Sequence, residues 1–372
     1  MIPPGIPGYN PAKLQIADGI PSPTTGDPFS GAVLNVWAPD VRPAMTQQWN
    51  LAVQQQLSSD TTLQVAYVGQ RGTHLMVPLN MLQGDLQSDG TVLPSPYLAG
   101  NPDLLAKGVI AAGTFSIGEM SYNALQVVLQ KRMGHGLEGQ VSYAYSHCLT
   151  NNIGYYGDGA QAAPQSAYWQ NAFNPKGEWG SCYFDLTHNL TAFAIYELPV
   201  GKGRSFGRHL NPIVNAVVGG WNVSTIYSLH GGFPLTIYGN DNTTTNSFGS
   251  RADCSGSPKY VKQFIPGVGL QWFSPALYSN PAVLTFGTCG VGTIRGPGLN
   301  RFDIGLQKEF PVHESMRFEF RAEFLNAFNH PTFRAPNTYC GGSAGAACAP
   351  GMGVISFSEG ERNIQFALKF YF

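Results

Sequence analysis

The chain has 372 residues, a formal net charge of −1 and only 12% charged residues, about half the charged fraction of a typical soluble domain. Because no basic field exists to attract nucleic acid, we exclude a nucleic-acid partner. No run of about 18 apolar residues occurs, so we expect no transmembrane helix. A membrane protein without such a helix must be a closed β-barrel.

The chain opens with MIPPGIPGYNPAK, which has neither the basic nor the apolar region of a signal peptide. The sequence is therefore either cytosolic or the later part of a longer chain. We expect an irregular extracellular segment over 1–44, followed by barrel sequence over 45–372.

From residue 45 onward, apolar and polar residues alternate in repeated short stretches. In MRFEFRAEF (316–324) the apolar and charged residues fall on opposite faces of a strand, whereas a helix would scatter the charges around its axis. The same pattern predicts about nine strands, at 45–57, 61–70, 121–132, 136–147, 184–198, 219–238, 299–310, 315–326 and 361–372.

The connections between these strands alternate in length. Short connections and one of intermediate length (199–218) lie at one end, and long connections rich in Gly, Pro and Asn lie at the other. This layout predicts an all-β fold, an antiparallel transmembrane β-barrel with short periplasmic turns and long extracellular loops. Aromatic residues near the short turns predict an interfacial girdle; they are Tyr196, Trp221, Phe310, Phe370 and Phe372. A soluble β-sandwich or propeller is the alternative.

The strand count is odd, whereas bacterial barrels have an even number of strands. Tracing back from a last strand that ends at the periplasm places the N-terminal segment outside the cell. We therefore expect the chain to be a fragment, with further strands and any plug in a longer protein.

Four stretches carry a resemblance to a known family: QQWNLAVQQQL to GTHL (47–75), YNALQVVLQKR to YAYSH (122–147), IRGPGLNRFDIGLQKEF (294–310) and RFEFRAEFLNAFNHPTF (317–333). Together they resemble the C-terminal barrel region of TonB-dependent outer-membrane receptors of the Oar-like kind. The resemblance implies a barrel of about twenty-two strands, of which this chain supplies the last part. It also implies a location in the cell outer membrane.

The chain ends with NIQFALKFYF, in which alternate residues are apolar. We predict a lipid-facing last strand. The resemblance implies that its end, with Leu368, Phe370 and Phe372, is read by the barrel-assembly machinery. The alternative is that Phe372 only covers a hydrophobic edge.

The charged residues opposite the apolar face are predicted to point into the lumen. They are Asp303, Arg317, Glu319, Arg321 and Glu323. One interpretation is a structural ladder of charges paired across strands. Contact with a plug and direct binding of substrate are the others.

Six cysteines fall two by two in the long loops, as 148/182, 254/289 and 340/348, with none expected inside a strand. The even number and the loop placement predict three disulfides, formed in an oxidising compartment. Of the fifteen possible connectivities we expect neighbours to pair, namely Cys148 with Cys182, Cys254 with Cys289, and Cys340 with Cys348. Zinc is the alternative, but no Cys-x-x-Cys occurs. We predict no cofactor, no metal and no catalytic residue.

Two further segments suggest contacts outside the barrel. The turn GKGRSFG (201–207) predicts that Lys202, Arg204 and the nearby Arg208 lie close to lipid headgroups. Aromatic and amide residues at 151–156 and 168–169 are candidates for stacking on an extracellular ligand, with loop packing as the alternative.

The resemblance implies part of a TonB-dependent outer-membrane transporter for a large nutrient, which performs no covalent chemistry. Its partners would be outer-membrane lipid, the assembly machinery and, in a full-length protein, an upstream plug and the TonB system. The alternatives are a structural or adhesive surface protein and a soluble β-rich binding protein.

Overall fold

A computed structural model describes residues 30–152, 168–313 and 316–372, and long antiparallel strands dominate it. The strands of its main sheet are β1 (Val33–Trp37), β2 (Met45–Gln56), β3 (Thr61–Asn80), β4 (Ile110–Gly134), β5 (Leu137–Thr150), β6 (His188–Glu197), β7 (Trp221–His230), β8 (Leu299–His313), β9 (Met316–Leu325) and β10 (Asn363–Tyr371). The two-residue strand Gly180–Ser181 also pairs with β5.

Strands β2 to β10 lie side by side in chain order, and each pairs antiparallel with the next. The nine predicted strands and the all-β antiparallel class are therefore confirmed. Short turns join the strands at one end of the sheet, and long loops join them at the other, as predicted.

Cross-strand register collects the apolar side chains on one side of the sheet, which we call the apolar face. Val53 pairs with Val65 and Val65 with Val127. Near the other edge, Ile304 pairs with Phe324 and Phe324 with Ile364. These side chains stay exposed: Leu51 is 69% and Leu368 is 68% accessible. A soluble sandwich would bury this face, so the soluble alternative is wrong.

The largest buried apolar cluster of the described residues lies in the long loops and not against the sheet. It joins side chains from the β7–β8 and β9–β10 connections, including Leu235, Ile237, Phe273, Ile294 and Met352. Burial raises the pKa of Tyr278 in this cluster to about 12, because the apolar surroundings disfavour the phenolate. The loops therefore form a packed cap at one end of the sheet.

Short elements brace these loops. The paired strands are Asp85–Leu86 with Val92–Leu93, Pro234–Leu235 with Ile294–Arg295, Asp253–Cys254 with Tyr278–Ser279, Tyr260–Ile265 with Gly269–Phe273 and then Val354–Ile355, and Thr332–Phe333 with Ser358–Glu359. The 3-10 helices are Pro96–Leu98, Pro175–Glu178 and Pro275–Leu277, and the α-helix α1 is Pro212–Val218. Over the described ranges, no helix has the length and apolarity to cross a membrane.

Strands β3 and β4 run about ten residues further than the sequence pattern predicts, to Asn80 and from Ile110. Pro78 and two glycines, Gly113 and Gly118, gave this stretch the composition of a loop. In the structure a Cβ at Gly118 would lie 2.9 Å from the Leu75 carbonyl oxygen, so glycine permits the close pairing there.

Other details of the strands also differ from the prediction. Strand β1 was not predicted, and it pairs in parallel with the start of β4. Strand β6 begins at His188 and not 184. Strand β7 ends at His230 and not 238, because the backbone leaves the sheet at Gly232, where a Cβ would lie 1.8 Å from the Gly296 carbonyl oxygen.

The sheet is open within the described residues, because β2 and β10 are its two edges and do not pair with each other. Every residue of β2 is exposed, and so is nearly every residue of β10. Each edge strand therefore presents one row of unpaired backbone groups.

Candidate functional site beneath the disulfide-linked loops

Three disulfides join the cysteines as predicted. The Cα atoms are 5.4 Å apart in Cys148–Cys182, 4.9 Å in Cys254–Cys289 and 4.5 Å in Cys340–Cys348. The expectation that no cysteine lies inside a strand is wrong for Cys148, because β5 continues to Thr150. This disulfide therefore ties the loop after β5 directly to the barrel wall.

Asp185 connects the end of β5 to the β7–β8 loop. Its carboxylate accepts from the backbone N–H of Cys148 at 2.7 Å and from Nη2 of Arg295 at 2.5 Å. Nδ1 of His147 lies 3.5 Å from the same carboxylate. The Asp185 side chain is fully buried, so these contacts compensate a charge that would be costly if unpaired.

A second buried ion pair links the loop after β5 to the loop after β7. Arg251 donates from Nη1 to Oε2 of Glu178 at 2.5 Å, and from Nε to the Cys289 carbonyl oxygen at 2.8 Å. Gln170 accepts the backbone N–H of Arg251 at 2.8 Å. The loops that cap the sheet are thus held together by charged side chains as well as disulfides.

Below these contacts, a cavity of about 460 Å³ lies on the inward face of the sheet, opposite the apolar face. Strands β3 to β6 contribute Gln70, Tyr122, Gln126, Ser146 and Asn189, which share one face by register. Phe184 and Asp185 close the cavity on the loop side. Its wall therefore combines amides, hydroxyls and aromatic rings with the apolar side chains of Met120, Ala144 and Leu186.

This arrangement suits reversible binding of a neutral polar molecule. Amides both donate and accept hydrogen bonds, and aromatic rings supply contact area. The one carboxylate of the wall, Asp185, is already paired with Arg295. Within the described ranges, no three His, Cys, Asp or Glu side chains form a group that could hold a metal ion.

Sequence reasoning missed this cavity and the two buried ion pairs. The polar cavity residues are one or two positions on each of four strands, and only their register brings them together. Asp185 and Arg295 are 110 residues apart. The available signal was the polar set of each alternating strand, which marks the inward face without showing which positions share a cavity.

The five predicted lumen residues lie on the inward face near the other edge of the sheet. Glu319 accepts from Gln307 at 3.1 Å, from Tyr371 at 2.7 Å and from Arg321. Arg317 lies 3.6 Å from Glu309 and stacks over the Tyr371 ring at 4.2 Å. Glu323 accepts from Gln365. Their partners favour the structural ladder, and contact with a plug stays a prediction.

Asp303 has a local role at the end of β9. It pairs with Arg301 at 3.0 Å and accepts the backbone N–H of Asn326 at 2.7 Å. Asn326 has a positive φ of 51° and its side chain pairs with the backbone of His330. These contacts turn the chain at NAFNHPTF (326–333), directly after β9 ends at Leu325.

The loop aromatics proposed for ligand stacking divide into two groups. Trp169 is buried, and its Nε1 donates to the Asn151 carbonyl oxygen at 2.6 Å, so its ring packs the loop and is not a ligand platform. Tyr168 packs edge-on against Phe248. Tyr155 and Tyr156 lie outside the described residues.

Aromatic residues gather at the short-turn end of the sheet. Phe370 lies 4.7 Å from Phe318 and 6.0 Å from Phe372, measured between ring centroids. Phe372 is 94% exposed and Leu368 lies on the apolar face. This arrangement is typical of a girdle at a membrane interface. Recognition of Leu368, Phe370 and Phe372 by assembly machinery stays a prediction.

Comparison with known proteins places these features in context. A family model described as "Outer membrane beta barrel domain" matches residues 5–365. The match confirms the predicted transmembrane β-barrel class and the predicted location in the cell outer membrane. No curated protein matches the sequence significantly.

Three transport proteins are among the solved structures to which this chain is similar. The outer membrane transporter YddB from Escherichia coli is 8% identical, with a TM-score of 0.46 over 92% of this chain and 34% of that one. The FrpB iron transporter from Neisseria meningitidis is 9% identical, with a TM-score of 0.40 over 90% and 32%. The ferric-catecholate import receptor Fiu from E. coli is 10% identical, with a TM-score of 0.41 over 89% and 28%. The chain spans about a third of their length.

Proposed function

The chain belongs to the outer membrane beta barrel domain family, and from that premise we propose that it forms part of the wall of a TonB-dependent transporter for a polar nutrient. The observation that carries this proposal is the cavity of about 460 Å³ on the inward face, directly beneath the cross-linked loops. A solute that enters between extracellular loops would meet this wall before it reaches a plug.

The open edges of the sheet support a larger barrel. Lipid offers no hydrogen-bond partners, so an unpaired strand edge inside the membrane is costly. Strands β2 and β10 both expose such an edge in the described sheet. We propose that further strands of the same transporter pair with both.

The ladder around Glu319 supports a plugged lumen. Arg317, Glu319 and Arg321 keep their charges on the inward face, where mutual pairing holds the side chains in defined positions. Such a surface offers charged hydrogen-bond partners to a plug domain. Direct binding of nutrient by these residues is less favoured, because each of the three already forms an ion pair with a neighbouring side chain.

Uptake measurements test this proposal in the cell that makes the protein. We would compare wild type, a deletion and the cavity variant Gln126→Arg on a panel of scarce nutrients, with and without an active TonB system. We expect both mutants to lose growth on the same nutrient, and wild type to lose it without TonB. Equal growth of all strains on every nutrient would contradict transport.

The matched control is Lys259→Gln, an exposed loop position away from the cavity, which should grow like wild type. A structural or adhesive role is the second candidate. Two exposed phenylalanines favour an adhesive role, because they offer apolar contact area to another surface. Phe264 and Phe357 are each 69% exposed. In that case, deletion would reduce cell adhesion, while Gln126→Arg would behave like wild type in both growth and adhesion.

A further inference from the structure

Helix α1 lies against the apolar face at the short-turn end of the sheet. Lys308 interrupts this face, since it pairs with Trp221 on one side and with Phe320 on the other. Its ammonium group donates to the carbonyl oxygens of Ala216 at 2.6 Å and Val217 at 3.2 Å, in the last turn of α1. Nε1 of Trp221 donates to the same Val217 oxygen at 2.9 Å.

These contacts fix the orientation of α1 on the barrel wall. The Lys308 side chain is buried and its Nζ lies 5.4 Å from the Trp221 ring and 5.0 Å from the Phe310 ring. A cation is favourable at a helix C-terminus and over aromatic faces. Lys308 is thus a positioning residue, and it holds the helix outside the barrel at the level of the aromatic girdle.

The outer side of α1 is an apolar stripe with no protein cover in the described structure. Ile213 and Val217 are one helical turn apart and are 80% and 65% exposed, and Val214 and Val218 lie beside them. Asn215 faces the other way, because its side chain accepts the backbone N–H of Lys202 at 2.6 Å. The stripe continues the apolar face, which in this family contacts lipid.

Cations surround the polar side of the same helix. Lys202 and Arg208 are exposed, and no carboxylate among the described residues pairs with either. Arg204 is balanced by Glu197 at 2.9 Å, and the nearby Glu309 lies 3.6 Å from Arg317. A cavity of about 350 Å³ opens between this turn and the helix, and Lys202, Arg204 and Lys308 help to line it.

We propose that the segment 198–220 is an interfacial anchor that binds anionic phospholipid at the periplasmic side of the outer membrane. The stripe of Ile213 and Val217 inserts among acyl chains, while Lys202 and Arg208 contact the headgroup phosphate. Apolar residues on one side and Lys and Arg on the other are the pattern of helices that lie in a membrane interface. The proposal depends on the outer-membrane location and not on transport.

Native mass spectrometry tests the headgroup contact. The full chain in neutral detergent would be titrated with phosphatidylglycerol or phosphatidylcholine, as wild type and as Lys202→Gln/Arg208→Gln. Each cation near an anionic lipid surface increases the affinity about fivefold. The affinity of the double variant should therefore fall roughly 25-fold for phosphatidylglycerol and stay unchanged for phosphatidylcholine. Lys176→Gln/Lys259→Gln, which removes two exposed cations from the opposite end, should bind like wild type.

Two results would overturn the headgroup contact: retained affinity for phosphatidylglycerol in Lys202→Gln/Arg208→Gln, or an equal loss in both double variants. A second measurement tests the apolar stripe without removing any charge. In vesicles of acyl-brominated phospholipid, the fluorescence added by Ile213→Trp should be quenched. The fluorescence added by Phe357→Trp, in an extracellular loop, should persist. An unquenched Ile213→Trp signal would show that the helix lies in water.

Discussion

Arg251 and Glu178 form an ion pair at 2.5 Å whose side chains are only 6% and 1% exposed. The pair joins two loops, because Glu178 and Arg251 are 73 residues apart in the chain. Removing one partner leaves the other charge buried without compensation, which costs about 3–5 kcal/mol. We therefore expect Arg251→Met to lower the free energy of unfolding of the loop cap by about this amount, measured by urea unfolding followed through tryptophan fluorescence.

The double variant Glu178→Met/Arg251→Met is the control for this prediction. Replacing both charges with apolar residues of similar size is often neutral or stabilising. We expect the double variant to be more stable than Arg251→Met alone. If the two variants are equally unstable, the loss comes from packing or from the bonds to Gly177 and Cys289, and not from the uncompensated carboxylate.

The disulfides differ in the length of chain that they close. Cys148 and Cys182 are 34 residues apart, whereas Cys340 and Cys348 are 8 apart. Loop-closure entropy then predicts losses of about 4 and about 2.5 kcal/mol when each is removed. Unfolding of Cys148→Ser/Cys182→Ser and Cys340→Ser/Cys348→Ser should rank in this order, and the reverse order would contradict the entropic explanation.

The two faces of β4 should respond differently to charge. Leu125 lies on the apolar face near the middle of the strand, and Gln126 lies on the inward face. An arginine at the bilayer midplane of a barrel costs about 2–4 kcal/mol on the lipid side. Leu125→Arg should lose this stability in a detergent or lipid unfolding assay, while Gln126→Arg should insert like wild type. If the two variants are equally stable, the two faces have been assigned wrongly.

The strands were predictable because lipid on one side and a polar lumen on the other impose a period of two along each strand. Val53, Val65 and Val127 each carry that period in their own segment, so their pairing follows once the strands are placed in chain order. The disulfides were predictable for a related reason. Each partner lies close in sequence, and the even number left no cysteine over.

The remaining features depend on distant parts of the chain meeting. The second half of β3 pairs with the first half of β4, and glycines allow the close approach there. In the sequence, those glycines indicate a loop. The loop cap has no hydrophobic period, because its buried residues come from irregular segments such as those around Phe273 and Met352. Lys308 interrupts the alternation, because a lysine occupies a position of the apolar face. Only the contact of its ammonium group with α1 explains it.

The C-terminal aromatic residues carry a prediction about assembly. If Phe372 is part of a signal for the barrel-assembly machinery, Phe372→Ser should sharply reduce the fraction of chain that becomes folded in the outer membrane. Heat-modifiable migration of membrane fractions measures that fraction. Phe357→Ser removes another exposed phenylalanine from an extracellular loop and should assemble like wild type. Normal assembly of Phe372→Ser would favour the alternative, in which Phe372 only covers a hydrophobic edge.

Asp60 lies in the turn between β2 and β3, and it should make the stability of the short-turn end sensitive to acid. Its carboxylate accepts from Nζ of Lys131, from the Ser58 hydroxyl at 2.7 Å and from the Thr61 hydroxyl at 3.0 Å. These hydrogen bonds, that of Lys131 first, hold the pKa of Asp60 below its ordinary value. The folded state therefore favours the ionised carboxylate more than the unfolded state does.

For a carboxyl group with a lowered pKa, the stabilisation is present above the unfolded pKa of about 3.9 and is lost as the pH falls toward the folded value. The stability difference between wild type and Asp60→Asn should thus be constant from neutral pH to about 5 and shrink below about 4. In Lys131→Met, the main donor is gone, so the folded pKa of Asp60 rises toward its ordinary value and the acid-sensitive part of its stabilisation becomes smaller. Unfolding midpoints across this pH range measure both effects, and a difference between wild type and Asp60→Asn that does not change with pH would show that these hydrogen bonds do not favour the charged form.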